Sequence, residues 1–404
     1  MIKIKNVTTH LGQKINHQID GEDRVIEAEG LVMLPALIDP HVHFRVPGAE
    51  YKEDWESGAL AAICGGVTTV FDMPNNTPSC ISKKRLAEKK AIIEKQLKIP
   101  LRYGLYLGAD QNHLDEIAKT KDQIVGLKIY MGSSTGDLLM NDPKALEKAF
   151  RLAAENSVLV AVHAEDEDLI KKRSAECKAA LQTDPKSHSM IRSPEVAQKA
   201  LAVALELAEK YKTRLYVAHV STKEELDLIR KAKMKGVQVF AEATPHHLFL
   251  TTALYEKLGT RALVNPPLRD HVDALWQAIK DQTIDTIGTD HAPHLLEEKM
   301  RPMGSAPSGF ASIELYLALL LNAHHEKKIS LEQIVSLTST QPREIFHWPV
   351  NSDVVLVDLN HEQVVKDSHL KTKAKWSPYA GMKLKGWPRY TILKGKVYDT
   401  QMVP

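Results

Sequence analysis

The sequence predicts an α/β protein: a (β/α)8 TIM-like barrel with a small β-domain formed from both chain termini. Three observations predict it. From about Leu34 onward, short β-branched runs alternate with longer helical patterns, the rhythm of βα units around a parallel sheet. Eight strand-like runs occur before Trp348, the number that closes such a barrel. The two ends read instead as short strands with turns, each small for an independent core.

Taken in order, the strands lie near Leu34–His43, Gly66–Met73, Leu101–Leu107, Ile124–Met131, Val158–His163, Arg214–His219, Val237–Ala243 and Thr283–Gly288. Helical patterns separate most of them, such as Asp142–Asn156 after the fourth and Pro194–Tyr211 before the sixth. Parallel pairing requires such crossovers. The barrel is therefore assigned to 34–349. Alternating Met1-Ile2-Lys3-Ile4-Lys5, with Val354–Asp358 and Tyr390–Val397, supplies strands for a composite β-domain of 1–33 and 350–404.

Composition narrows the function classes. With 53 basic and 51 acidic residues, a net charge of +2 gives no electrostatic case for nucleic acid. The runs Lys83-Lys84-Arg85 and Lys171-Lys172-Arg173 fall in helix-like stretches and read as solvated faces. Cys64, Cys80 and Cys177 are too few and scattered for a disulfide framework or a cysteine zinc cluster, and they fit a reducing compartment. The first residues lack a signal-peptide core, and no apolar run reaches membrane-spanning length; Leu315–Leu321 is far too short. The expectation is a cytoplasmic protein with a small-molecule substrate.

Chemistry collects where the strand-like runs stop. The first ends in His41-Val42-His43, whose alternate side chains share one face of an extended strand. Two converging imidazoles are a metal chelate, and imidazole suits zinc among several divalent ions. Arg45, two residues on, offers a planar fork to a carboxylate beside that metal. The second run ends Asp72-Met73-Pro74-Asn75, the fifth His163-Ala164-Glu165, the sixth His219, and the eighth Asp290-His291-Ala292-Pro293-His294. Barrel active sites lie at the C-terminal ends of the strands, so these residues converge on one mouth.

Lys128 stands inside the apolar fourth run, Gly126-Leu127-Lys128-Ile129-Tyr130. Desolvation leaves two readings. One is an ion pair with Asp290 or Glu165. The other is a carbamate, formed by addition of carbon dioxide, whose two oxygens bridge two cations.

At this point the residues resemble the amidohydrolase superfamily, and within it the dihydroorotase class related to hydantoinases and allantoinases, of the carboxylated-lysine type. The resemblance spans essentially the whole chain. Its carriers are Asp39-Pro40-His41-Val42-His43-Phe44-Arg45, Asp72-Met73-Pro74-Asn75-Asn76-Thr77-Pro78, Gly126-Leu127-Lys128, His163-Ala164-Glu165-Asp166 and Ala218-His219-Val220-Ser221. Ala243-Thr244-Pro245-His246-His247, Asn265-Pro266-Pro267-Leu268-Arg269 and Asp290-His291-Ala292-Pro293-His294 complete them.

The resemblance implies two divalent metal ions, zinc by preference. His41, His43 and Asp290 would hold one, His163 and His219 the other, with carboxylated Lys128 bridging them. Arg45, Asn75 and His294 would grip a substrate carboxylate, and Asn265 would contact the ring. The implied reaction is reversible hydrolysis of the cyclic amide of (S)-dihydroorotate to N-carbamoyl-L-aspartate, in de novo pyrimidine (UMP) biosynthesis. Asp290 would shuttle the proton. The resemblance also implies a homodimer and association with aspartate transcarbamoylase.

Two positions depart from the family pattern: Val46 replaces the usual glutamate after Arg45, and Ser312 stands where glycine is common. Ser133-Ser134-Thr135-Gly136 reads either as a loop over the substrate or as an ordinary turn. Glu165 and Asp166 either orient His163 or cap the next helix. His246 and His247 read as structural or supporting residues, and His324 and His325 as helix-end residues. The alternative functions are another cyclic-amide hydrolase (dihydropyrimidinase, hydantoinase or allantoinase) and a non-catalytic partner of aspartate transcarbamoylase. Arg45 separates the first from a dihydroorotase, because an uncharged ring has no carboxylate for it.

Overall fold

The computed structural model describes residues 1–134, 136–181 and 184–402. The N-terminal strands β1 (Ile2–Thr9), β2 (Lys14–Ile19), β3 (Arg24–Glu27) and β4 (Val32–Pro35) precede the barrel. The barrel strands are β5 (Leu37–Val42), β6 (Val67–Asp72), β7 (Arg102–Gly108), β8 (Gly126–Tyr130), β9 (Val160–His163), β10 (Leu215–Val217), β11 (Val239–Ala243) and β12 (Thr286–Ile287). Finally β13 (Val354–Val364), β14 (Lys383–Leu393) and β15 (Lys396–Asp399) return to the first group.

The eight central strands run in order from β5 to β12, each parallel to its neighbours. Residues of β5, β6, β8 and β9 are buried throughout, as expected of a parallel sheet covered on both faces. Helices supply the outer cover. In Pro143–Glu155, Asp142 caps the first turn by accepting from the Ala145 amide at 2.8 Å, and Leu146, Ala149, Phe150 and Ala153 form the inward stripe. The barrel closes through a parallel bridge between Val42 and His291, with the His43 amide donating to the His291 carbonyl at 2.8 Å.

The floor of the barrel is filled by side chains. Phe346 packs edge-on against Phe71, Tyr106 and Tyr216, at ring separations of 4.9, 6.1 and 5.0 Å. The two tyrosine hydroxyls point toward the mouth. Tyr106 donates to the Pro40 carbonyl at 3.1 Å and Tyr216 to Glu242 at 2.7 Å. A packed floor leaves the polar site only the upper end.

The termini form one seven-stranded sheet, ordered β15-β14-β13-β4-β1-β2 with β3 beside β1. Ile2 and Ile4 face its own core with Ile26, Leu356 and Ile392, while Lys3 and Lys5 face solvent. This sheet takes up the start of the strand expected at Leu34–His43. Leu34 and Pro35 belong to β4 and pair with Val355 and Val354 of β13, so the first predicted barrel strand is two strands broken at Ala36. Near-continuous apolar sequence cannot reveal such a change of sheet. Thr283–Gly288 likewise shrinks to the two residues of β12.

Candidate metal centre

The mouth brings together most of the residues expected there. Nε2 of His41 and Nε2 of His43 lie 3.3 and 3.1 Å from Oδ1 of Asp290, and the three ligand atoms fall within 4.8 Å of one another. Nδ1 of His163 faces Nε2 of His219 at 2.9 Å. The His41 and His219 rings lie 5.4 Å apart, joining the two groups.

Three of these four histidines have one nitrogen tied to an oxygen, which directs the other toward the centre. Nδ1 of His41 donates to Glu242 at 2.8 Å, and Nδ1 of His43 donates to the Asn75 amide oxygen at 2.8 Å. Nε2 of His163 donates to Glu165 at 2.8 Å. Glu165 is itself clamped by Arg192. Asp166 instead caps the helix Glu167–Ala179, accepting from the Leu169 amide. The two carboxylates thus divide the two roles between them.

Lys128 is fully buried, and its Nζ has no hydrogen-bond partner among the described residues. No ion pair with Asp290 or Glu165 forms, so that reading of the lysine fails. Burial lowers its amine to about 8, against the pull of Glu242 and Asp290. Its charge in turn disfavours protonation of His163 and His219. Burial lowers His43 to about 4 despite Asp290, so that ring is a neutral donor near pH 7. Burial opposes ionisation of Asp290, but His41 and His43 outweigh it and hold the carboxyl well below its usual range.

Backbone geometry aims these groups. Arg45, His219 and Asp290 all adopt positive φ, at 63°, 40° and 44°, a conformation that side chains rarely take. Asp39 braces the last of these turns by accepting from the Thr289 amide at 2.9 Å and from the His41 amide at 3.2 Å. Burial raises the Asp39 carboxyl to about 7, although those bonds oppose the shift. Gly288 passes so close that a Cβ there would sit 2.3 Å from Oε2 of Glu242.

Beside the histidines, Arg45 is buried and donates from Nε to the Pro293 carbonyl at 3.1 Å. Its terminal nitrogen lies 3.0 Å from Nε2 of His294. Lys52 Nζ lies 3.1 Å from Nδ1 of His294, and Nε2 of that ring lies 3.2 Å from the Ser308 carbonyl. Asn265 is half-buried and accepts from His188 at 2.9 Å. His247 anchors the next residue, donating to the Pro266 carbonyl at 3.1 Å. His246 is buried with neither ring nitrogen bonded. His291 turns from the centre, its Nδ1 accepting from the Ser312 amide. His324 and His325 end the helix Tyr316–His325. Thr135, in the loop after Lys128, lies outside the described residues.

Four residues at this mouth escaped the sequence reading: Glu242, Asp39, Lys52 and His188. Glu242 did leave a signal, a carboxylate in the apolar run Val239-Phe240-Ala241-Glu242-Ala243, of the same kind that exposed Lys128. In chemistry, four imidazoles, a carboxylate and a buried amine with no hydrogen-bond partner among the described residues make a donor set suited to divalent cations such as zinc.

The sequence matches the amidohydrolase family over residues 32–398. It is 34% identical over 390 residues to a dihydroorotase of Methanosphaera stadtmanae, covering 93% of this chain and 87% of that one. It is 33% identical to the multifunctional protein CAD of Squalus acanthias, covering 97% of this chain and 15% of that protein. Among solved structures, the L-hydantoinase (dihydropyrimidinase) of Arthrobacter aurescens superposes with a TM-score of 0.92. That pair is 27% identical, over 98% of this chain and 95% of the other.

Proposed function

This chain belongs to the amidohydrolase family, and from that premise we propose that it is a dihydroorotase working with two divalent metal ions. The reaction is reversible hydrolysis of the cyclic amide of dihydroorotate to N-carbamoyl-aspartate, a step of pyrimidine synthesis. The observation that carries the reading is Arg45, buried beside His43 and Asp290 with its guanidinium against His294. A buried arginine at a hydrolytic centre suits a substrate that carries a carboxylate.

His41, His43 and Asp290 would hold one cation, the more enclosed, and His163 with His219 the other. Zinc suits this set best. Lys128, unpartnered and buried, would add carbon dioxide at Nζ with loss of a proton, and the resulting carbamate would lie between the two cations. Bound there, the metals supply an activated water and polarise the ring carbonyl. Asp290 accepts a proton from the attacking water and delivers it to the ring nitrogen as the C–N bond breaks. Arg45, His294 and Asn75 orient the substrate carboxylate, and Asn265 steadies the ring. A homodimer, a cytoplasmic location and association with aspartate transcarbamoylase belong to the same reading. Among the described residues, no helix is long and apolar enough to cross a membrane.

The second reading, a hydantoinase-type hydrolase, is favoured by the fold likeness to the Arthrobacter enzyme. One experiment separates the two. Turnover of dihydroorotate, dihydrouracil, hydantoin and allantoin is measured in wild type and Arg45→Ala, with a metal count. Dihydroorotate turnover in both directions, lost in Arg45→Ala with about two metals retained, is expected. Preference for an uncharged ring, unaffected by Arg45→Ala, would sink the dihydroorotase reading.

A further inference from the structure

The segment between β9 and β10 carries a short helix, Ser187–Ile191. His188 on that helix is buried. Its Nε2 lies 3.0 Å from the Val264 carbonyl and 2.9 Å from Oδ1 of Asn265. A backbone carbonyl only accepts, so Nε2 must carry the proton. The Asn265 atom it also meets must then be the amide oxygen, which settles which way round the carboxamide sits.

Neighbouring contacts fix this arrangement at both ends. Ser189 donates to the Leu268 carbonyl at 3.2 Å and lies 3.0 Å from the Tyr255 hydroxyl. Arg192 bonds Glu165, the partner of His163, and the Ser133 carbonyl. The helix therefore ties the Asn265 loop to the histidine side of the centre. Burial and the nearby Arg192 lower His188 to about 4, so it stays a neutral donor through the physiological range.

We propose that His188 is a positioning and specificity-determining residue: by holding the Asn265 oxygen, it turns the amide nitrogen toward the substrate. Asn265 then offers an N–H donor, and the ligand group it selects is an acceptor such as a ring carbonyl oxygen. A ring presenting an N–H at that point meets a second donor and is rejected. This rests on the reading of Asn265 as the ring contact.

The test is a double-mutant cycle in the metal-loaded enzyme, with His188→Ala, Asn265→Ala and the pair, read as KM and kcat for dihydroorotate. His188→Ala is expected to raise KM about tenfold, as for one lost hydrogen bond, with kcat and metal content little changed. His188→Gln, which returns an N–H near the position of Nε2, restores most of the affinity. If His188 acts through Asn265, the pair is no worse than Asn265→Ala alone. Additive effects, or a KM in His188→Ala within twofold of wild type, overturn the proposal. If His188→Ala does not fold, His188→Phe keeps a ring, drops the donor and replaces it in the cycle. A wild type that opens another cyclic amide instead would overturn the dihydroorotase reading alone, and the same cycle on that amide still decides the role of His188.

Discussion

Replacing Glu242 by alanine removes one buried carboxylate and strands the groups around it. Three donors point at it: Nδ1 of His41 at 2.8 Å, the His219 amide at 2.9 Å and the Tyr216 hydroxyl at 2.7 Å. The tyrosine can turn to Thr286, whose Oγ1 lies 2.7 Å away. The other two have no second acceptor among the described residues. Each stranded buried donor costs about 1–3 kcal/mol, so the metal-free variant should lose roughly 4 kcal/mol of stability. His41 also loses its orientation, and such losses weaken metal binding by about 10–100-fold. Glu242→Gln is the control. Its amide oxygen can serve His41 and His219 while its amide nitrogen donates to Tyr216, so its stability should stay within about 1 kcal/mol of wild type. Urea unfolding of the metal-free variants and competition with a chelator for zinc measure both quantities. An alanine variant as stable as the glutamine variant, with equal metal affinity, would refute the placement of Glu242 as the brace of this centre.

Asp290→Asn should keep most of the metal, through His41 and His43, but lose about 10²–10⁴-fold in kcat if Asp290 shuttles the proton; near-normal turnover would remove that role. Gly288→Ala should disturb the centre, because the new Cβ meets Glu242 at 2.3 Å and crowds Cβ of His41 at 3.2 Å, and undiminished metal affinity would contradict it. Lys128 yields a pH prediction with a definite sign. Its amine falls from 10.5 to about 8 on folding, so between those values the unfolded chain holds a proton that the folded chain has released. Stability of the metal-free, unmodified protein should therefore rise with pH across about 8 to 10.5, by roughly 3 kcal/mol at most. Lys128→Met should flatten that rise, gain stability below pH 8 and abolish turnover, and an unchanged pH slope in that variant would falsify the assignment.

The residues of the centre were legible because strand chemistry is local. His41 and His43 share a face through the two-residue period, and a barrel gathers the ends of all its strands at one mouth, whatever their spacing in sequence. Lys128 and Asp290 were visible as charges in or at the end of apolar runs. What a sequence of this kind does not carry is pairing between distant segments. Glu242 stands 201 positions from His41, and Asp39 stands 250 from Thr289; neither contact leaves a trace in spacing. The break between β4 and β5 was hidden for a related reason, since the residues on both sides of Ala36 are apolar and only hydrogen-bond partners tell the two sheets apart. The amino-acid sequence by itself determined the barrel rhythm and pointed to the residues that gather at its mouth. Only the tertiary structure decided which nitrogen of His41, His43 and His163 faces the centre, that no described residue hydrogen-bonds the Lys128 amine, and which way Asn265 presents its amide. Those are properties of hydrogen-bond partners brought together by folding, and the order of residues along the chain does not contain them.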